Sequence, residues 1–169
     1  MRTCIFWLVT VICTVGFWSE CSAGDKTIAW PDMLNASDKV IVYKLGIPDE
    51  YSMKHGKLFH QYVIISQSEA LSNQAATNLY QLFKQAFPVD MFDAKGGSIR
   101  PCLFEPTVGV SFQVGGQKID AAVSFDCSEI CFFNGEAAIR DSSVLSIRSE
   151  LIAQLRMIFP KDEELQSLK

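Results

Sequence analysis

Two stretches of alternating hydrophobic and polar positions stand out in the second half of the chain. Val108, Val110, Phe112 and Val114 alternate with Gly109, Ser111 and Gln113. After Gly115-Gly116, the residues Ile119, Ala121, Val123, Phe125 and Cys127 take up the same rhythm. Neighbouring side chains of a strand point to opposite faces, so the pattern predicts two half-buried strands. The paired glycines supply the backbone freedom of a tight hairpin. Residues 130–133 extend the return strand as far as Asn134-Gly135, a second turn signal. Upstream, residues 39–45 are β-branched and aromatic and predict a strand. Residues 58–66 predict another, and apolar side chains on both faces give it a central, covered place. Residues 46–56, with Gly46, Pro48 and Gly56, read as a loop between the two.

A different period appears in two other places. Leu71, Ala75, Leu79, Leu82 and Ala86 recur at steps of three and four, the stripe of an amphipathic helix. Ser66 to Glu69 has the spacing of a capping box, and Pro88 stops the helix. Phe83 and Phe87 read as core. Val144, Ile147, Leu151, Leu155 and Ile158 form a second stripe over residues 144–159, capped by Ser142 or Ser143 and ended by Pro160. Residues 24–37, with the turn signal Trp30-Pro31-Asp32, and residues 89–100, with Gly96-Gly97, read as irregular, and residues 161–169 as a polar tail. The order predicts an α+β domain. Its sheet is mostly antiparallel, of four to five strands, with two amphipathic helices on one face.

The first residues break this picture. Met1 and Arg2 precede an apolar run over residues 4–18, followed by Ser19-Glu20 and the small residues Cys21, Ser22 and Ala23. That is the layout of a secretory signal peptide. The run is shorter than the roughly 20 residues of a bilayer span. Glu20 before Cys21 does not suit a lipid-attachment signal, which wants a small residue there. The expectation is a signal peptide at 1–23, cleavage after Ala23, and a single α+β domain at 24–169 that is secreted or periplasmic. No second run is long enough to span a membrane.

Composition narrows the function. The chain has 169 residues, 49% hydrophobic and 20% charged, which excludes a disordered protein. Its formal net charge is −4, with no long basic run, which argues against nucleic acid as partner. There is no GxSxG elbow, HExxH, phosphate loop or GxGxxG, and no cofactor is implied. Asp120, Asp126 and Glu129 read as a solvated acidic face. Asn35-Ala36-Ser37 is a glycosylation sequon of a kind that also arises by chance.

Cysteine is the residue type that could carry chemistry. Cys102, Cys127 and Cys131 lie beyond the signal. On a strand Cys127 and Cys131 stand roughly 13 Å apart, too far for a bridge. A two-residue turn at Gly115-Gly116 sets Phe104 opposite Cys127; a four-residue loop sets Cys102 opposite Cys131. Register therefore decides between the pairings, and spacing leaves both open. Asp126 and Glu129 disfavour a thiolate at Cys127. A metal site would need these cysteines with the distant His55 or His60, and His60 on a strand reads as structural.

Cys102-Leu103-Phe104-Glu105-Pro106 and Ser124-Phe125-Asp126-Cys127 resemble an uncharacterised family of small exported bacterial proteins. Its members carry Cys-x-x-x-Pro-Arg-His-Gly, a hairpin, then Cys-Phe-x-Cys. Pro106, Gly109 and Cys127 match; Thr107 and Val108 replace the Arg-His pair, and Ser124 replaces the first cysteine of the second motif. The resemblance picks out Cys102 and Cys127, which also flank one hairpin, so a Cys102–Cys127 disulfide is expected, with Cys131 as the rival partner. The functional expectation is an exported soluble binding or interaction domain without catalysis. The alternative is a thiol-redox or metal-binding protein using Cys102, Cys127 and Cys131; a hydrolase or inhibitor without a readable motif is the third class.

Overall fold

A computed structural model describes residues 30, 34–35, 38–87, 102–135 and 137–169. The signal segment, its cleavage point, the Pro88 stop, the loop at 89–100, and the sequon's Ala36 and Ser37 lie outside the described residues. The chain runs β1 (Lys39–Gly46), α1 (Glu50–His55), β2 (Leu58–Phe59), β3 (Tyr62–Gln67), α2 (Asn73–Ala86), β4 (Val108–Val114), β5 (Gln117–Ser124), β6 (Glu129–Asn134), β7 (Ala137–Ser143), α3 (Arg148–Ile158) and α4 (Glu163–Ser167). The strands form one sheet in the order β2-β3-β1-β4-β5-β6-β7, with every neighbouring pair antiparallel. The α+β class holds; among the described residues the sheet has seven strands where four to five were expected, and four helices accompany it.

One face of the sheet carries the main core. Val40, Val42, Val108, Val110, Phe112, Ala121, Val123 and Phe132 meet Leu79, Tyr80 and Phe83 of α2 and Leu151 and Leu155 of α3. Both long helices therefore lie on that face, and Leu165 of α4 joins them, fully buried. Trp30 packs into the same layer, its ring 5.1 to 5.9 Å from Tyr80, Phe87, Phe112 and Phe132. Lys44 also points there, 3% exposed, and is neutralised by Glu164 at 2.5 Å and Asp162 at 3.6 Å. The tail read as merely polar is thus a capped helix that brings carboxylates to a buried lysine.

The β4–β5 hairpin turns on Gly115 (φ 57°) and Gly116 (φ 81°), with Val114 opposite Gln117. This two-residue turn sets the register and removes the one that favoured Cys131. Neither strand is half-buried, because the second face is covered as well: Gly109, Ser111, Asp120 and Ala122 are all buried. The return strand does not continue through residues 130–133. Ser128, at φ 55°, closes a turn after Ser124, and β6 folds back on β5. Phe125 and Cys127 stay buried in that turn, so the alternation runs straight across it.

Residues 58–66 break at His60-Gln61 into a two-residue hairpin, with Phe59 opposite Tyr62. β2 is an edge strand, and the last half of β3 is exposed, so the central placement is corrected. The capping box is also corrected. Ser66 lies in β3, and Ser68 bonds back to Val42 through both its hydroxyl (3.0 Å) and its amide (2.8 Å). Tertiary pairing with β1 outcompetes the local cap, and α2 starts only at Asn73. Its buried face is Ala76, Leu79, Tyr80, Phe83 and Ala86; Leu71, Ala75 and Leu82 are half-buried. Ser142 and Ser143 belong to β7 and do not cap α3, and the Ser142 hydroxyl donates to Ala86 O at 2.7 Å. Residues 46–56 contain α1, whose capping box is Asp49 with Ser52.

Candidate functional site

The last rung between β1 and the chain leading into β4 is Leu45 N donating to Thr107 O at 2.9 Å. Beyond it the two segments part. Ile47 and Pro48 turn away into α1, while residues 103–106 diverge on the other side. The fork is a groove of about 340 Å³. One wall is Ile47, Pro48 and Met53, the other Leu103, Phe104 and Pro106, with Gln61 and Tyr62 of the β2–β3 hairpin between them. Ile47, Met53 and Leu103 are 68%, 52% and 78% exposed. No residue of α1 is buried. The helix is held by its cap, in which the Asp49 carboxylate accepts from Ser52 N and the Ser52 hydroxyl, and by Lys54–Glu50 at 2.9 Å. Bonds from the Ser52 hydroxyl and amide hold the Asp49 carboxyl below the usual carboxylate range. Glu105 is the one charged residue of the groove lining.

Cys102 and Cys127 lie behind the second wall at disulfide distance, with Cα atoms 5.7 Å apart and Sγ atoms 1.94 Å apart. The pairing register and the two-residue turn bring these two together. Cys131 sits apart, buried on β6 opposite Ala122. Thr107 N donates to Val123 O at 2.9 Å, so the wall is tied to the sheet at both ends. Among the described residues no group of three His, Cys, Asp or Glu side chains could hold a metal ion. His55 lies against Tyr51, and neither histidine joins the cysteines.

The hairpin tip that flanks the groove is anchored inward by His60. Its Nε2 lies 3.0 Å from Asp120 Oδ2, and Lys118 Nζ stands 2.8 Å from the same oxygen. The side chains of His60 and Asp120 are 9% and 4% exposed. Asp120, read as part of a solvated face, is therefore buried; Asp126 is exposed. The imidazole stacks on Phe133 at 3.9 Å and meets the Phe59 edge at 5.0 Å. Phe59 in turn covers Gly109, where a Cβ would stand 2.9 Å from its ring. His60 Nδ1, Asp120 Oδ1 and Ser111 Oγ are buried without a partner among the described residues. Burial pushes the Tyr43 phenol above its ordinary range; Lys118 pulls it down and Asp120 pushes it up. A histidine–carboxylate pair can orient an imidazole, but here both members sit beneath the hairpin and outside the groove lining. What the pair does is hold the tip bearing Gln61 and Tyr62.

None of this was legible as a site. Ile47, Met53, Leu103 and Phe104 carry no motif, and His60 has no acidic neighbour in sequence. The only trace was the cysteine pair, which marks where the second wall is fastened. No family model, curated protein or solved structure matches the chain.

Proposed function

We propose that the chain is an exported interaction domain without catalysis of its own, and that it makes its contact through the groove between α1 and residues 103–106. The observation that carries this reading is the gathering of Ile47, Met53 and Leu103, large apolar side chains left in solvent, on the walls of one groove. A contiguous apolar surface on a small domain marks a contact site more often than a scatter of single residues does. The volume, about 340 Å³, falls within the range of binding clefts. A tethered wall and a pinned hairpin tip limit what binding would have to order. One feature supports export: a cysteine pair at disulfide distance. The likeness to small exported proteins at Cys102, Pro106 and Cys127 belongs to the same proposal.

The test is titration with an environment-sensitive apolar dye. Met53→Asp and Leu103→Asp should each weaken dye binding about tenfold or more, the equivalent of about 1.4 kcal/mol. Their melting temperatures should be nearly unchanged, because both side chains are exposed. Equal binding by the parent and both variants would rule the groove out.

A further inference from the structure

We infer that the occupant of the groove is a polypeptide segment in extended conformation, apolar with at least one Lys or Arg, that adds as a strand along residues 103–106. The inference rests on the groove being the contact site. Three observations carry it. The groove is a fork in a sheet: β1 and the β4 lead-in are bonded at Leu45–Thr107 and part beyond it, where an added strand would continue the ladder. Neither Phe104 nor Glu105 has a backbone hydrogen bond among the described residues, and Glu105 precedes Pro106, which biases it toward extended geometry. The charge in the groove lining is negative, since Glu105 is its one charged residue. Lys54 of α1 is engaged by Glu50, and the whole chain carries −4. Backbone pairing would give affinity, the apolar walls would take alternate side chains, and the Glu105 carboxylate would select a basic partner.

Random decapeptides displayed on phage, panned on the oxidised protein and counter-selected on a Met53→Asp/Leu103→Asp double variant, provide the probe. Enriched peptides should alternate apolar residues and carry Lys or Arg. The best of them, made synthetically, should bind about three- to tenfold more weakly when its central amides are N-methylated. Glu105→Gln should weaken it about two- to fivefold, the scale of an exposed ion pair. No enrichment over the double variant, acidic consensus sequences, or indifference to N-methylation would each overturn the inference. Dye binding without peptide enrichment removes the peptide and leaves the groove; loss of both removes the groove reading itself. A dimer that Met53→Asp dissociates would make a second copy the occupant, and the inference would fail.

Discussion

His60 Nε2 and Asp120 Oδ2 stand 3.0 Å apart although sixty residues separate them. In the sheet, β1 and β4 lie between the β2–β3 hairpin that carries His60 and the strand β5 that carries Asp120. The contact is possible only because the sheet curls and closes its second face under the hairpin. His60 does this at φ 55°, a left-handed conformation that suits glycine. The Asp120 contact and the stack on Phe133 therefore hold a backbone that histidine alone would not choose.

Replacing His60 should separate these two effects. His60→Ala loses the stack and the Asp120 contact and keeps a side chain in the left-handed region. His60→Gly loses the same contacts without that strain and should be more stable than the alanine variant by about 1 kcal/mol. Urea denaturation measures the difference. An alanine variant as stable as the glycine one would show that the turn holds no such strain.

Tyr43 gives a pH reading of the same face. Its phenol is raised by burial, lowered by Lys118 and raised by Asp120. The difference in phenolate absorbance between the parent and Tyr43→Phe should titrate above the ordinary value of about 10. Lys118→Ala should move it further up and Asp120→Asn down. The folded chain holds this proton longer than the unfolded one. The resulting stability is fully present below about 10 and is lost as pH rises through the folded value. Shifts of the opposite sign would contradict the placement of these charges.

At Lys44, removing the carboxylates should matter more than removing the whole ion pair. An Asp162→Asn/Glu164→Gln variant leaves a buried ammonium with weaker partners and should lose about 1–3 kcal/mol. Adding Lys44→Met should restore most of that loss, since an apolar side chain of similar length needs no counter-charge. Thermal unfolding of the three proteins tests the cycle, and additive losses would refute it.

For the cysteines, peptide mapping without reductant should link Cys102 to Cys127 and leave Cys131 outside the link. The pair closes a 25-residue separation, for which chain entropy gives about 3 kcal/mol. A Cys102→Ser/Cys127→Ser variant should unfold at correspondingly lower denaturant. A peptide joining Cys102 to Cys131 would contradict the register.

Within α2, Leu79 is fully buried and Leu82 half-buried. Leu79→Ala should cost about 2–5 kcal/mol, as should Leu155→Ala in α3, where the side chain is equally buried. Leu82→Ala should cost clearly less than either. Equal losses at Leu79 and Leu82 would mean that the helix faces the sheet along the stripe read from sequence, not along Ala76, Tyr80 and Phe83.

The local periods along the chain determined a good part of this protein. β1, the glycine-turned β4–β5 hairpin, the existence of α2 and α3 on one face, and the α+β class all follow from side chains that repeat at two or at three to four residues. The resemblance and the shared hairpin together singled out Cys102 and Cys127. Tertiary structure decided the rest. β2 and β3 read as one strand because His60 carries no turn signal and is held in its turn by Asp120 and Phe133, from strands far along the chain. β6 vanished into β5 because Phe125 and Cys127 are buried in the turn as they would be in a strand. Lys44 and the tail acids were invisible as a unit because 120 residues separate Lys44 from Glu164. The groove could not be read at all: Ile47, Met53 and Leu103 look like core residues, and only the parting of two strands leaves them in water.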